Sequence, residues 1–232
     1  MLSNPSTLPS QILKFDNPIK TYKKSQFNPY VNNEGSVMAL AGKSYLIAAA
    51  DKRLSNGYSI VSRDSSKICH LTDKAILCSS GMYADVINLH KYLKTKIDIY
   101  KTTNKKEPNL ESIAQLLSVT LYQRRFFPYY AFNVLCGRRS DGTFICYSYD
   151  AVGSFDTEVY GAQGSGMQLI SGVFDNVIGR KPDLSLDEAK KLVLEIMNGV
   201  SCRDIYTGDK VEIVIMKDNG EVTTEEYELR HD

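Results

Sequence analysis

Apolar residues along this chain switch between steps of two and steps of three or four, and the switches mark its elements. Two apolar runs, 37–41 and 45–50, flank Gly42-Lys43-Ser44 and predict a strand hairpin. Further strands are predicted at 66–71 and 75–79. Gly81 then opens a helical pattern in which Val86, Leu89, Leu93, Ile97 and Tyr100 recur at helical spacing. A second helix follows Asn109, with Leu110, Ile113, Leu117 and Leu121 on one face, and Pro128 is predicted to stop it. The second half repeats this order without repeating the residues. Strands are predicted at 130–136 and 144–149, around Arg138-Arg139-Ser140-Asp141-Gly142, with a shorter one at 158–161. One helix carries Met167, Ile170, Val173, Phe174 and Ile178. The next opens on a capping box, Ser185 with Glu188, and carries Ala189, Leu192, Val193, Ile196 and Val200. Val211, Ile213 and Ile215 alternate with polar residues, and Asp218-Asn219-Gly220 turns the chain into a closing strand. Strand blocks separated by helix pairs predict an α+β fold of two stacked sheets with helices outside.

Composition narrows the classes of partner. With 232 residues and 43% hydrophobic content, the chain can bury roughly 70% of its unfolded surface in one core. The 28 Lys and Arg against 27 Asp and Glu leave no net attraction for nucleic acid or anionic membrane. No apolar run approaches the ~20 residues of a bilayer span. The five cysteines, Cys69, Cys78, Cys136, Cys146 and Cys202, contain no Cys-x-x-Cys pair and read as reduced core residues of a cytosolic or nuclear protein. Residues 1–28, with Pro5, Pro9 and Pro18 and little periodicity, read as a flexible leader ahead of one domain at 29–232; they lack the apolar core of a secretory signal.

The chemistry concentrates at the head of that domain. Gly35-Ser36-Val37-Met38-Ala39-Leu40-Ala41-Gly42 is followed by Asp51, 16 residues after Gly35, and by Lys67, 32 residues after it. This pattern resembles the beta subunits of the 20S proteasome, from about Asn28 to Leu229. Arg124-Arg125-Phe126-Phe127-Pro128-Tyr129-Tyr130 and Asp204-Ile205-Tyr206-Thr207-Gly208-Asp209 are similar to the sixth, non-catalytic type of beta subunit. The resemblance implies the four-layer αββα sandwich of N-terminal nucleophile hydrolases. It also implies a place among alpha and beta subunits in a hetero-oligomeric ring stack, within a ubiquitin-dependent protease of the cytoplasm and nucleus. In that family the position of Gly35 holds a threonine, Lys67 and Asp51 support it, and a backbone N–H at Gly81 stabilises the oxyanion. Glycine has neither hydroxyl nor thiol, and losing a nucleophile costs on the order of 10⁶ in turnover. The site is therefore expected to be inert, with Asp51 and Lys67 kept as an internal ion pair. By the same resemblance the leader is a propeptide that a neighbouring subunit trims between Lys24 and Glu34.

Other readings of the residues differ in weight. Ser36 could serve as nucleophile of an active amidohydrolase after processing, but strand alternation turns it to the face opposite Gly35. Gly161-Ala162-Gln163-Gly164-Ser165-Gly166 lacks the lysine of a phosphate loop, and Ser165 is expected beside the site. His70, His90 and His231 are too scattered to form a metal triad. Ser201, Asp204 and Thr207 sit at a helix end whose main-chain carbonyls suit a structural magnesium. The Arg124–Tyr130 stretch reads as protein interface or core packing before a base-stacking platform. In Asp150-Ala151-Val152-Gly153-Ser154, Asp150 and Ser154 are expected either to line a neighbouring subunit's pocket or to close a local turn.

Overall fold

The computed structural model describes residues 27–230. Residues 1–26 of the expected leader, and His231, lie outside the described residues. One five-stranded antiparallel sheet has the order β10-β1-β2-β11-β12, from β1 (Ser36–Ala41), β2 (Tyr45–Asp51), β10 (Tyr160–Gly164), β11 (Lys210–Lys217) and β12 (Val222–Glu228). A second has the order β5-β6-β7-β8-β9, from β5 (Ile68–Thr72), β6 (Ala75–Gly81), β7 (Ala131–Arg138), β8 (Phe144–Tyr149) and β9 (Phe155–Glu158). Helices α1 (Tyr83–Asn104) and α2 (Leu110–Tyr122) cover the second sheet; α3 (Met167–Arg180) and α4 (Leu186–Ser201) cover the first.

Strand alternation builds three apolar layers. Val37, Ala39 and Ala41 of β1 and Leu46, Ala48 and Ala50 of β2 face the other sheet, where they meet Ile76, Cys78, Val134 and Cys136. The intervening Met38, Leu40, Ile47 and Ala49 face α3 and α4 and pack on Ile170, Phe174, Val193 and Met197. Alanines dominate the inter-sheet side of β1 and β2, so the sheets approach closely. Both faces of these strands are buried, which explains why their sequence reads as a continuous apolar run. Beneath α1, Val86, Leu89, Leu93 and Ile97 are fully buried at the predicted spacing. Truncating one of them to alanine removes about 2–5 kcal/mol. The capping box at α4 forms as the sequence predicts: Ser185 accepts from the Glu188 N–H, and Glu188 accepts from the Ser185 N–H at 3.0 Å.

Three expectations change. The strand predicted at 158–161 is two strands: β9 ends at Glu158 on the edge of one sheet, and β10 begins at Tyr160 on the edge of the other. Val159 is the crossing residue, and its carbonyl accepts the Ala41 N–H at 2.7 Å. Helix α2 ends at Tyr122, six residues before Pro128, because residues 123–126 tighten into successive turns (Arg124 N–H to Leu121 O, Arg125 N–H to Tyr122 O). Cys202 is exposed, unlike the other four cysteines, because it closes the end of α4. The sequence reading also passed over a two-stranded ribbon, β3 (Leu54–Asn56) with β4 (Ser59–Ser62), which turns at Gly57 with φ +58°. Asn56-Gly57 was its signal, a dipeptide favoured in hairpin turns because glycine takes positive φ freely. Among the described residues no helix is long and apolar enough to cross a membrane.

Candidate functional site

The site lies where the start of β1, the end of β2, the entry to β5 and the turn after α4 converge. Asp51 closes β2 with no exposed surface, and its carboxylate gathers four donors. Oδ1 accepts the Ser36 N–H at 2.7 Å and Lys67 Nζ at 2.8 Å; Oδ2 accepts the Arg53 N–H at 3.1 Å and the Gly208 N–H at 3.4 Å. Burial pushes the Asp51 carboxyl up, while the Lys67 ammonium and the backbone N–H groups pull it back toward ionisation. Lys67 Nζ donates to Asp51 Oδ1, to the Asp51 carbonyl at 2.9 Å and to the Arg53 carbonyl at 2.6 Å. An ammonium has three N–H donors, and all three are spoken for.

Gly35 completes this arrangement by being glycine. Its φ of +92° is one that side-chain-bearing residues rarely adopt. A Cβ built there would collide with Lys67 Nζ and stand 2.7 Å from Asp51 Oδ1 and 2.8 Å from Lys67 Cε. The ammonium thus occupies the space that a nucleophile's side chain would need.

Ser36 points to the other side, as strand alternation predicts. Gly166 N–H donates to Ser36 Oγ at 3.0 Å, and Thr207 Oγ1 stands 2.6 Å from it. Thr207 gives its own proton to Asp204 Oδ2 at 2.6 Å, so Ser36 donates to Thr207. Ser165 Oγ donates to the same Asp204 oxygen at 2.5 Å, and the Ser165 N–H donates to the Gly35 carbonyl at 3.0 Å. The N–H groups of Ser165 and Gly166, just ahead of α3, are thus engaged by Gly35 and Ser36. Ser36 has no exposed surface, and its nitrogen is an amide held by Asp51 rather than a free amine.

Gly81, at the end of β6 with φ +122°, lies across a cleft of about 260 Å³ that Asn32, Glu34, Ser80 and Ser165 also line. Ser80 Oγ donates to the Gly35 carbonyl at 3.0 Å. Burial, with the Asp204 carboxylate nearby, pushes the Glu34 carboxyl up. Sequence reasoning missed Arg53 and Asp209, which clamp the turn after α4. Arg53 Nε donates to Asp209 Oδ2 at 2.8 Å and Nη1 to the Ile205 carbonyl at 2.9 Å. The Arg53 guanidinium lies where a side chain at Gly208 would stand. The cue was Arg53 itself, two residues beyond Asp51.

A family model for proteasome subunits matches residues 31–216. The chain belongs to the proteasome subunit family. It is 47% identical over 223 residues to proteasome subunit beta type-1 of Arabidopsis thaliana, covering 91% of this chain and all of that protein. It is 46% identical to the rice (Oryza sativa subsp. japonica) protein of that name, over 88% of this chain and 96% of the relative. The Drosophila melanogaster counterpart is 40% identical over 90% and 93%. The two sheets between two helix pairs are the α+β sandwich of this proteasome family.

The remaining predicted positions lie away from this centre. Asp150 Oδ1 accepts the N–H of Val152 at 3.0 Å and of Ser154 at 2.8 Å, the local turn that was one of its two expected roles. Gly153 packs against the backbone of α2, and its carbonyl accepts Ser118 Oγ at 2.7 Å, so α2 fixes this loop. At the end of α4, the Ser201 hydroxyl turns back onto the Asn198 carbonyl at 2.9 Å, and the Asp204 carbonyl accepts the Thr207 N–H at 3.2 Å. His90 Nε2 pairs with buried Ser79 at 2.9 Å, and burial lowers its pKa to about 4. His70 is exposed on β5. In the Arg124–Tyr130 stretch, Phe126 is 91% exposed, while Arg124 lies 4.4 Å over the buried Tyr129 ring. One segment thus supplies both a surface and a core contact.

Proposed function

We propose that this chain is a subunit of the 20S core particle's inner ring that contributes no nucleophile of its own, and that serves assembly of the protein-degrading complex. The observation that carries the reading is the Lys67 ammonium, which has all three donors engaged and fills the space a side chain at residue 35 would need. A developing alkoxide at residue 35 would find no free Lys67 donor. The rival reading, an amidohydrolase using Ser36 after processing, is opposed by the burial of Ser36 and by its hydroxyl's commitment to Thr207.

The reading carries three further roles. The subunit works in cytoplasm and nucleus with its ring partners, which fits four buried thiols and no disulfide. A structural magnesium at the end of α4 would be held by the main-chain carbonyls of Ser201, Asp204 and Thr207; a carbonyl that already accepts one N–H, as Asp204's does, keeps a second lone pair for a cation. Asp150 and Ser154, exposed on a loop that α2 fixes, present a carboxylate and a hydroxyl to a neighbour's peptide pocket.

The assembled complex, treated with an electrophile that captures threonine and serine nucleophiles, tests the central claim by intact-mass analysis. This chain is expected to carry no adduct. An adduct on Ser36 that disappears in Ser36→Ala would overturn the reading.

A further inference from the structure

We infer that Asn56 is a site of self-modification, at which the Gly57 nitrogen closes on the Asn56 side chain and water opens the ring to aspartate or isoaspartate. Four places in the chain set glycine directly after Asn or Asp, the order this chemistry favours because glycine has no Cβ to shield its nitrogen: Asn56-Gly57, Asp141-Gly142, Asn198-Gly199 and Asn219-Gly220. By sequence they are equals. The fold separates them. The reaction joins the side-chain carbonyl carbon of the first residue to the main-chain nitrogen of the second, and hydrogen bonds on either group keep the two from meeting.

At three of the four pairs both groups are held. Asp141 Oδ1 accepts the Thr143 N–H at 2.9 Å and the Thr143 hydroxyl at 2.6 Å, while the Gly142 N–H donates to the Arg139 carbonyl at 3.0 Å. Asn219 Oδ1 accepts the Glu221 N–H at 2.9 Å, and the Gly220 N–H donates to the Lys217 carbonyl at 3.0 Å. Asn198 Oδ1 accepts the Arg230 N–H at 3.0 Å and its Nδ2 donates to the Leu194 carbonyl at 3.0 Å, with Gly199 inside α4. Asn56 differs on both counts: among the described residues neither its side-chain amide nor the Gly57 N–H has a hydrogen-bond partner.

The surroundings leave room for the approach. Asn56 is the last residue of β3, and it, Gly57 and Tyr58 are exposed, Tyr58 to 95%. Nothing stands within 4 Å of where a Cβ on Gly57 would lie. Bringing the carboxamide over the glycine nitrogen rotates the main chain at the tip of the ribbon, and the rung this loosens is Asn56 with Ser59, the last of β3 on β4. Water is the co-reactant that balances the step. The Gly57 nitrogen gives its proton to solvent base and bonds to Asn56 Cγ; the bond from Cγ to the amide nitrogen breaks, and that nitrogen takes a proton from water and leaves as ammonia. Water then adds to the cyclic imide. Opening at Cγ gives aspartate, and opening at the Asn56 main-chain carbonyl gives isoaspartate, whose backbone carries one extra carbon. Either product places a negative charge at the tip, and isoaspartate also breaks the register with Ser59.

The test holds the assembled complex in neutral buffer for days, digests it under mildly acidic conditions that stop the reaction, and maps the peptides by mass spectrometry. Asn56 is expected to gain the single mass unit that exchanging NH₂ for OH adds, with isoaspartate reported by an isoaspartyl methyltransferase. Its rate should be roughly tenfold or more above those of Asn198 and Asn219 in the same sample, whose hydrogen bonds must first break. Asn56→Gln, whose ring would be one atom larger, should show no gain at residue 56. In the urea-unfolded chain the three asparagines should convert at similar rates, because the bonds that hold two of them are gone. An unmodified Asn56 in the complex, or one that converts no faster there than Asn198 and Asn219, would overturn the site. A preference for Asn56 that survived unfolding would overturn its cause, since the choice would then lie in the neighbouring residues and not in the fold.

Discussion

The two faces of β1 at its first turn of chain carry the same kinds of group and reach opposite states. On the inter-sheet face, beside Gly35, a charged pair faces no side chain, and Lys67 fills the space next to the glycine with three carbonyl or carboxylate partners. On the helix face, Ser36 keeps its hydroxyl but gives it to Thr207 and Asp204 in a sealed chain. One face has the charged pair without a hydroxyl, and the other has the hydroxyl turned away from that pair. Catalysis by an N-terminal nucleophile needs both on one face. A one-residue offset along a strand separates them completely, because side chains alternate.

The contrast predicts unequal sensitivity. The largest effect is expected at Asp51. Asp51→Ala leaves the Lys67 ammonium buried without its counter-charge and removes the acceptor of three backbone N–H groups, a loss of about 3–5 kcal/mol. Thermal unfolding and incorporation into the complex should both suffer, while the activity of whatever complex forms should be retained per particle. If Asp51→Ala were as stable as wild type, the pair would not be the anchor of this face.

Gly35→Thr is the direct attempt to turn one face back into a site, and it is expected to fail. A β-branched residue at φ +92° costs about 1–3 kcal/mol from the backbone alone. The added Cβ must also displace Lys67 from at least one of its three acceptors. The variant should be less stable and gain no peptide hydrolysis in assembled complexes whose other active subunits are blocked. Hydrolysis above that background would show that the pocket relaxes around the new side chain.

Thr207→Val probes the other face and should cost less. It removes the hydroxyl between Ser36 and Asp204 while keeping shape, leaving the Ser36 proton without its acceptor, for about 1–3 kcal/mol. Ser36→Ala on top of Thr207→Val should recover part of that loss, since the stranded donor is then gone. A double variant no more stable than Thr207→Val would mean that Ser36 finds another acceptor.

How much of this was legible in sequence depends on the range of the contact. The elements follow from periodicity, and the α4 cap from Ser185 and Glu188 alone, because both depend on residues a few positions apart. The meeting of Gly35, Asp51 and Lys67 was legible as well, since their spacing in the chain is visible without coordinates. What could not be read was the closure of the site. That Lys67 spends its third donor on the Arg53 carbonyl, or that Asn33 bridges Ser55, Gly81 and Tyr83, depends on strands distant in sequence meeting at one point. The crossing at Val159 escaped for a related reason: a run of extended residues does not record which sheet each half joins. Asp150 shows the reverse case, a short-range turn that the residues Asp150 to Ser154 specify by themselves.

The smallest effect expected is a pH dependence, and it tests whether the two faces are held by one clamp. Arg53 gives its carbonyl to Lys67 on one side, and its guanidinium binds Asp209 on the other. Burial would raise the Asp209 carboxyl, but the Arg53 and Arg63 guanidinium groups outweigh it and hold the group below the ordinary carboxylate value. For a carboxylate depressed in the folded state, the stabilisation is present above the unfolded pKa of about 4 and is lost as pH falls through the lower folded value. Stability of the wild-type chain should therefore drop more steeply than that of Asp209→Asn as pH falls below about 4, and the two curves should converge at the acid end. Because Arg53 touches both faces, acid that releases Asp209 should also speed hydrogen exchange at the Gly208 and Ser36 amides that Asp51 holds. Parallel stability curves for Asp209→Asn and wild type would remove Asp209 from the clamp; faster exchange at Gly208 with none at Ser36 would show that the two faces are held separately.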